Sequence, residues 1–249
     1  MRVVIRCLAM LWLTLASVPF IASAQPQDGS KIIGDVGAAN YTTPAITRSN
    51  QKNNVLLPYV YADYENWYAR VDTFGYKIAT MGVGHLEIAT RISFEDFQPV
   101  NAGIDRRARP KPLGVGTFQE TPYGAFFFYA FRDTTSGGML LDATYAAEFV
   151  FADWHFYPQF GVEQRDQKYV GKLYGVDSIE AQRSGLTAYS PKSSTSPNIA
   201  MAAEYPFADH LKLTVQLRKR YLDKAIQDSP LVNAKQQTSG FVAVTKTFE

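Results

Sequence analysis

From Met139 to Phe151 the odd positions hold Met, Leu, Ala, Tyr, Ala, Phe and Phe, while Asp142, Thr144 and Glu148 stand among the even ones. Successive side chains of a strand point to opposite faces, so this stretch predicts a strand with one apolar and one polar face. The pattern recurs along the chain. Leu56 to Tyr64 and Trp67 to Tyr76 are strand candidates joined by Glu65-Asn66, a two-residue hairpin connection. His85 to Phe94, Leu113 to Gln119, Tyr123 to Phe131 and Trp154 to Glu163 follow, then Asn198 to Phe207, Leu211 to Arg218 and Ser239 to Phe248. Lys31 to Ala39 is a weaker, glycine-broken candidate. Two long polar connections, 164–196 and a second reaching Gln237, contrast with tight turns such as Ala208-Asp209-His210.

Long loops alternating with tight turns are the signature of an outer-membrane barrel, whose periplasmic turns are the short ones. The expected fold is therefore all-β: an antiparallel transmembrane β-barrel with lipid outside and polar groups within. A soluble barrel or sandwich would show the same alternation, with a protein core in place of lipid. Trp67, Trp154, Tyr205, Phe207, Tyr221 and Phe248, near strand ends, are candidates for interfacial girdles. The eleven segments counted are one short of an even number. A strand is thus missing between Phe94 and Leu113, or one segment is wrongly divided. Twelve strands are expected, with ten as the alternative.

The N-terminus supports export. Arg2 and Arg6 precede an apolar run from Leu8 to Ile21, and Ala22-Ser23-Ala24 supplies a small-x-small cleavage pattern. Residues 1–24 read as a Sec signal peptide cleaved after Ala24, and residues 25–249 as one barrel domain. Removing the leader takes two of the 25 basic residues and none of the 23 acidic ones, leaving a formal charge of zero. No broad basic face for nucleic acid is indicated. Cys7, the one cysteine, lies in the leader, so neither disulfides nor thiolate metal sites are available to the mature chain.

Beyond alternation, the chain carries Tyr169-Val-Gly-Lys-Leu-Tyr-Gly-Val176, then Glu180-Ala-Gln-Arg-Ser-Gly-Leu-Thr-Ala-Tyr189, then Asp228-Ser-Pro-Leu-Val232. Gly103-Ile-Asp-Arg-Arg107 and the hairpin Val60-Tyr-Ala-Asp-Tyr-Glu-Asn-Trp67 lie upstream. In this order the motifs resemble the MipA/OmpV family of Gram-negative outer-membrane proteins. The resemblance is strongest in the last third of the chain. One departure is Glu249 after Phe248, where the family ends on an aromatic residue; another is Lys246 on the apolar side of the last strand. The resemblance implies a non-enzymatic protein of the cell outer membrane. It further implies a scaffold joining a lytic murein transglycosylase to a bifunctional penicillin-binding protein, with outer-membrane lipid around the barrel. It assigns no partner-binding residue.

Candidate chemistry is sparse. His155 follows Asp153 by two residues, so the pair could share a face and act as acid and base. No nucleophile accompanies them, and His85 and His210 read as solvated residues at turns. The three histidines lack metal-ligand spacing, and no catalytic, cofactor or metal residue is assigned. Ser184 and Ser229 lie in long loops, where serine commonly bonds nearby backbone. Gly82-Val-Gly84 and Gly114-Val-Gly116 lack the third glycine and helix of a dinucleotide loop. The polar strand faces carry Arg70, Asp72, Glu87, Arg91, Asp142, Glu148, Glu163, Glu204, Lys212 and Arg218. So many inward charges must pair or meet water. They fit a stapled interior, or alternatively a narrow channel for small polar solutes.

Overall fold

The structure is a computed structural model that describes residues 31–48, 54–95 and 99–249; the leader lies outside these residues. Its strands are β1 (Ile32–Thr42), β2 (Asn54–Tyr64), β3 (Trp67–Arg70), β4 (Thr73–Met81), β5 (Gly84–Arg91), β6 (Pro112–Thr121) and β7 (Gly124–Asp133). They continue with β8 (Met139–Ala146), β9 (Phe149–Phe151), β10 (Trp154–Arg165), β11 (Ser194–Ala208), β12 (Leu211–Tyr221) and β13 (Gln236–Phe248). Sequence neighbours pair antiparallel, and β1 pairs with β13 from Gly34↔Phe248 to Thr42↔Gly240, which closes the sheet into a barrel. β9 continues β8 beyond a break at Ala147-Glu148, and both pair with β10. The thirteen segments therefore make twelve staves. Among the described residues no helix is long and apolar enough to cross a membrane.

The strand missing from the sequence count is β4. The run Trp67 to Tyr76 is not one strand: Val71, at φ 62°, turns the chain, and its N–H donates to Val60 O at 2.9 Å. β3 is left only four residues long, and β4 returns beside it, Arg70 opposite Thr73. Residues 92–95 and 99–111 hold no strand. Because β3 is short, β2 pairs on that side only from Tyr61 to Tyr64. Tyr64 and Trp67 flank the two-residue turn, and Val60 accepts from Val71, so alternate residues up to Pro58 direct their backbone polar groups toward β3. Pro58 has no N–H to offer, and it stands where no neighbour among the described residues would receive one. Proline in a sheet belongs at such an edge.

Alternation sorts the residues as the pattern predicts. Val242, Val244, Leu217, Phe160, Phe126 and Val115 point outward and are about half exposed or more, whereas Phe241, Ala243, Thr245 and Asn198 point inward and are buried. A greasy surface around a polar interior is the arrangement that lipid, not water, stabilises. The tight turns Glu65-Asn66, Gly82-Val83, Pro122-Tyr123, Ala152-Asp153 and Asp209-His210 lie at one end, with the start of β1 and the end of β13. Aromatic pairs collect there: Trp67 meets Tyr76 edge-on at 5.0 Å, Trp154 stacks on Tyr205 at 4.9 Å and Phe149 on Phe156 at 5.2 Å. Tyr221 instead lies at the opposite end. Lys246 faces outward near the rim with its ammonium 5.4 Å from the Phe248 ring, a position from which it snorkels to water.

Candidate functional site

The long loops fold into a cap. Within it, α1 (Gln167–Tyr174) starts at Asp166, whose carboxylate accepts from Tyr169 N, and α2 (Ser178–Ser184) starts at Asp177 with a reciprocal capping box to Glu180. A short α3 (Lys224–Gln227) follows β12. Tyr169, Val170, Leu173, Tyr174, Leu222 and Ile226 bury their side chains against Phe131, Leu140 and Ile46 at the top of the barrel. A smaller cluster of Ile104, Val176 and Leu231 extends the cap. None of the three helices was foreseen, although Asp177-x-x-Glu180 carries a start signal.

The family-like motifs meet in this cap. Arg107 donates to Glu180 Oε1 at 2.5 Å and Oε2 at 2.8 Å, and to Gly175 O at 2.8 Å. The Asp105 and Asp177 N–H groups complete the shell around the same carboxylate. The hydrogen bonds from Arg107 hold the Glu180 carboxyl at about 2, far below its ordinary 4.5. Ser184 Oγ donates to Glu180 O, and Ser229 Oγ donates to Tyr174 O while accepting from Leu231 N. Both serines are tethers.

Beneath the cap lies a layer of charge. Glu163 accepts from Arg165 at 2.9 Å, Arg220 at 3.0 Å and Arg218 at 3.4 Å. Glu95 enters the lumen from the segment after β5 and binds Arg165 at 2.9 Å and Arg220 at 2.7 Å, with the Tyr174 hydroxyl of α1 at 3.4 Å. Arg91 pairs with Asp142 at 2.5 Å. Each buried ion costs several kcal/mol of desolvation, so a layer of this kind persists only when its members satisfy one another. Glu95, Arg165 and Arg220 were absent from the sequence-derived inward set. Glu95 belongs to a loop, and the two arginines sit at the far ends of β10 and β12.

Below this layer the lumen widens into a cavity of about 810 Å³. Its roof includes Val71, Asp72, Phe241 and Arg218, and its mouth lies among the turn residues 121–124 and Phe149, at the short-turn end. Among the described residues no part of α1, α2 or α3 reaches it. Of the sequence-derived inward charges, Arg70, Asp72, Arg91, Asp142, Glu148, Glu204, Lys212 and Arg218 line this space. Glu163 lies in the layer above, and Glu87 is buried against the Tyr129 hydroxyl at 2.9 Å. Asp153 and His155 do not form the pair considered from sequence. Asp153 is exposed in the β9–β10 turn, while His155 Nδ1 lies 3.1 Å from Glu148 Oε1. The break between β8 and β9 brings Glu148 to that position. His210 occupies a turn at φ 57°, and His85 sits near the start of β5.

A closed antiparallel barrel with an apolar belt, a charged interior and short turns at one end is a membrane β-barrel of the outer-membrane class. Within that class the chain belongs to the family described as MltA-interacting protein MipA, whose model matches residues 36–248. The "Putative outer membrane protein YiaT" of Escherichia coli K12 is 24% identical over 94% of this chain and 96% of its own length. The MltA-interacting protein of Escherichia coli K12 is 25% identical over 71% of this chain and 75% of its own. Among solved structures, the outer membrane channel DcaP of Acinetobacter baumannii aligns over 88% of this chain and 96% of its own, with 8% identity and a TM-score of 0.37.

Proposed function

We propose that this barrel is a non-enzymatic platform in the outer membrane that docks cell-wall enzymes on its periplasmic rim. On this reading the leader directs Sec export and is cleaved after Ala24, and the remainder forms one barrel domain in lipid. The partners are a lytic murein transglycosylase and, joined through the same complex, a bifunctional penicillin-binding protein. Family membership supports this, since one relative is named for its interaction with MltA, a lytic transglycosylase.

The observation that carries the reading is the polarity of the molecule. The outward half of the lumen is filled by packed helices and the Glu95–Arg165–Glu163–Arg220 layer, whereas the periplasmic end keeps its turns and cavity mouth accessible. A filled outer half argues against solute conduction and favours a role at the inner rim. Twelve staves also fall short of the ~16 typical of open pores. The test is a pull-down from detergent-solubilised envelopes with the tagged mature barrel. Recovery of a murein transglycosylase is the expected result, lost when the turns Glu65-Asn66 and Asp209-His210 are both replaced by Gly-Gly. Failure to recover any murein hydrolase or synthase overturns the scaffold and leaves the barrel intact.

A further inference from the structure

The cavity holds more negative charge than its own cations neutralise. Four cations line it against six carboxylates, Asp35, Asp72, Glu120, Asp142, Glu148 and Glu204. Arg91 pairs with Asp142 at 2.5 Å and Lys212 with Asp35 at 3.0 Å, while Arg70 shares Asp63 with Lys77 and Arg218 shares Glu163 with Arg165 and Arg220. Asp72, Glu120, Glu148 and Glu204 remain. Among the described residues the Asp72 carboxylate accepts from the Thr73 hydroxyl alone, and Glu204 comes no closer than 4.0 Å to Lys212, which is already held by Asp35. Glu148 is beside His155, and Glu120 has no ion pair among the described residues.

These carboxylates are staged along the depth of the cavity. Glu120 and Glu148 stand at the mouth, next to the Pro122-Tyr123 turn and the β8–β9 break. Glu204 is more enclosed, its side chain 19% exposed against 51% for Glu148, and it is paired across strands with Thr214 and His155. Asp72 is at the roof. Thr214 supplies an independent sign of an absent partner: its residue is 2% exposed, it lines the cavity, and among the described residues its hydroxyl has no hydrogen-bond partner. A buried hydroxyl without a partner costs free energy that a ligand donor would recover. Tyr61, Tyr157 and Phe118 add aromatic walls between the carboxylates, which suit methylene groups and attract cations.

We propose that the cavity is a binding site for a linear organic polycation of the polyamine class, entering from the periplasmic side. One ammonium takes Glu204 and the Thr214 hydroxyl, others take Glu120 and Glu148 at the mouth, and the aliphatic stem lies along Tyr61 and Tyr157. Carboxylates spread along the cavity, two in excess of its cations, select several charges on one chain over a single compact cation, because each added contact is made at high effective concentration. This site is independent of the platform role: docking uses the rim turns, binding uses the interior.

The experiment is calorimetric titration of spermidine into the mature barrel, folded in zwitterionic detergent at low salt, with triacetylated spermidine as the neutral probe of similar length. Saturable one-to-one binding is expected, weakening as salt rises, with no heat from the neutral analogue. Glu204→Gln and Thr214→Val should each weaken binding at least fivefold. Glu120→Gln, at the exposed mouth where folding is not at risk, should weaken it about threefold. Glu65→Gln, on a rim turn outside the cavity, should leave it unchanged. Heat-modifiable gel mobility verifies that each variant is folded. Absence of binding, equal binding of the acetylated analogue, or an affinity that follows Glu65 rather than Glu120 and Glu204 overturns the proposal.

Discussion

Replacing Arg107 by alanine should open the cap without unfolding the barrel. Glu180 is 2% exposed, and its carboxylate is held by two hydrogen bonds from Arg107 and two backbone N–H groups. Its proton is lost near 2 in the folded cap and near 4.5 when the cap is open. That depressed value stabilises the cap by on the order of 3 kcal/mol at neutral pH, with each pH unit between the two values contributing about 1.4 kcal/mol. Removing one partner of a buried pair costs about 3–5 kcal/mol in general, which agrees. The folded value lies below the open one, so the stabilisation is complete above about pH 4.5 and is lost as pH falls through 2. Hydrogen exchange read by mass spectrometry on the micelle-bound barrel measures this directly. Amides of 101–107 and 175–186 should exchange about a hundredfold faster in Arg107→Ala at pH 7, with the staves unchanged. Wild-type protein should approach the mutant rate in those segments only as pH nears 2. Identical exchange in the two proteins, or acceleration spread evenly through the staves, would refute the reasoning.

Val242→Arg, on the outward face near the middle of β13, should lower folding stability in liposomes by about 2–4 kcal/mol in urea titrations, as charge on the lipid face does. Gln216→Arg, inward-facing on β12 opposite Phe241, should cost under about 1 kcal/mol in the same assay because it meets the aqueous cavity. In planar bilayers the wild-type barrel should pass no current above the membrane background, and discrete steps in conductance would refute the sealed outer half. Ala62→Pro should cost about 3 kcal/mol, since residue 62 pairs with Ala69 across β3 in the hydrogen-bonding phase set by the Tyr64–Trp67 turn. Pro58→Ala should change stability by less than about 1 kcal/mol. Equal effects at the two positions would remove the gap inferred beside β2.

The alternation of Met139 to Phe151 gave its outward face correctly, and so did Leu211 to Arg218 and Trp154 to Glu163. The run Trp67 to Tyr76 misled because its composition is strand-like throughout. The reversal at Val71 uses a β-branched residue at positive φ, which no turn rule anticipates. The extension of β11 back to Ser194 was missed because Ser194, Thr195 and Ser196 carry no apolar alternation. Of the cap, the helices starting at Asp166 and Asp177 went unread within a stretch taken as a polar connection, while the resemblance flagged the segments around Arg107 and Glu180 without joining them. Glu95, in no strand, gave no signal that it would bridge Arg165 and Arg220.

By itself the sequence determined which side of each stave is greasy, because side-chain alternation is a local property with a period of two residues. It equally determined the antiparallel barrel class and its short-turn end, through the contrast in connection lengths. Tertiary structure decided which charges meet, where the lumen is filled and where it stays open. Those outcomes depend on closing the sheet and on register, which place Glu163 beside Arg220, 57 residues on, and hold Glu204 4.0 Å from Lys212. No window of neighbouring residues contains that distance.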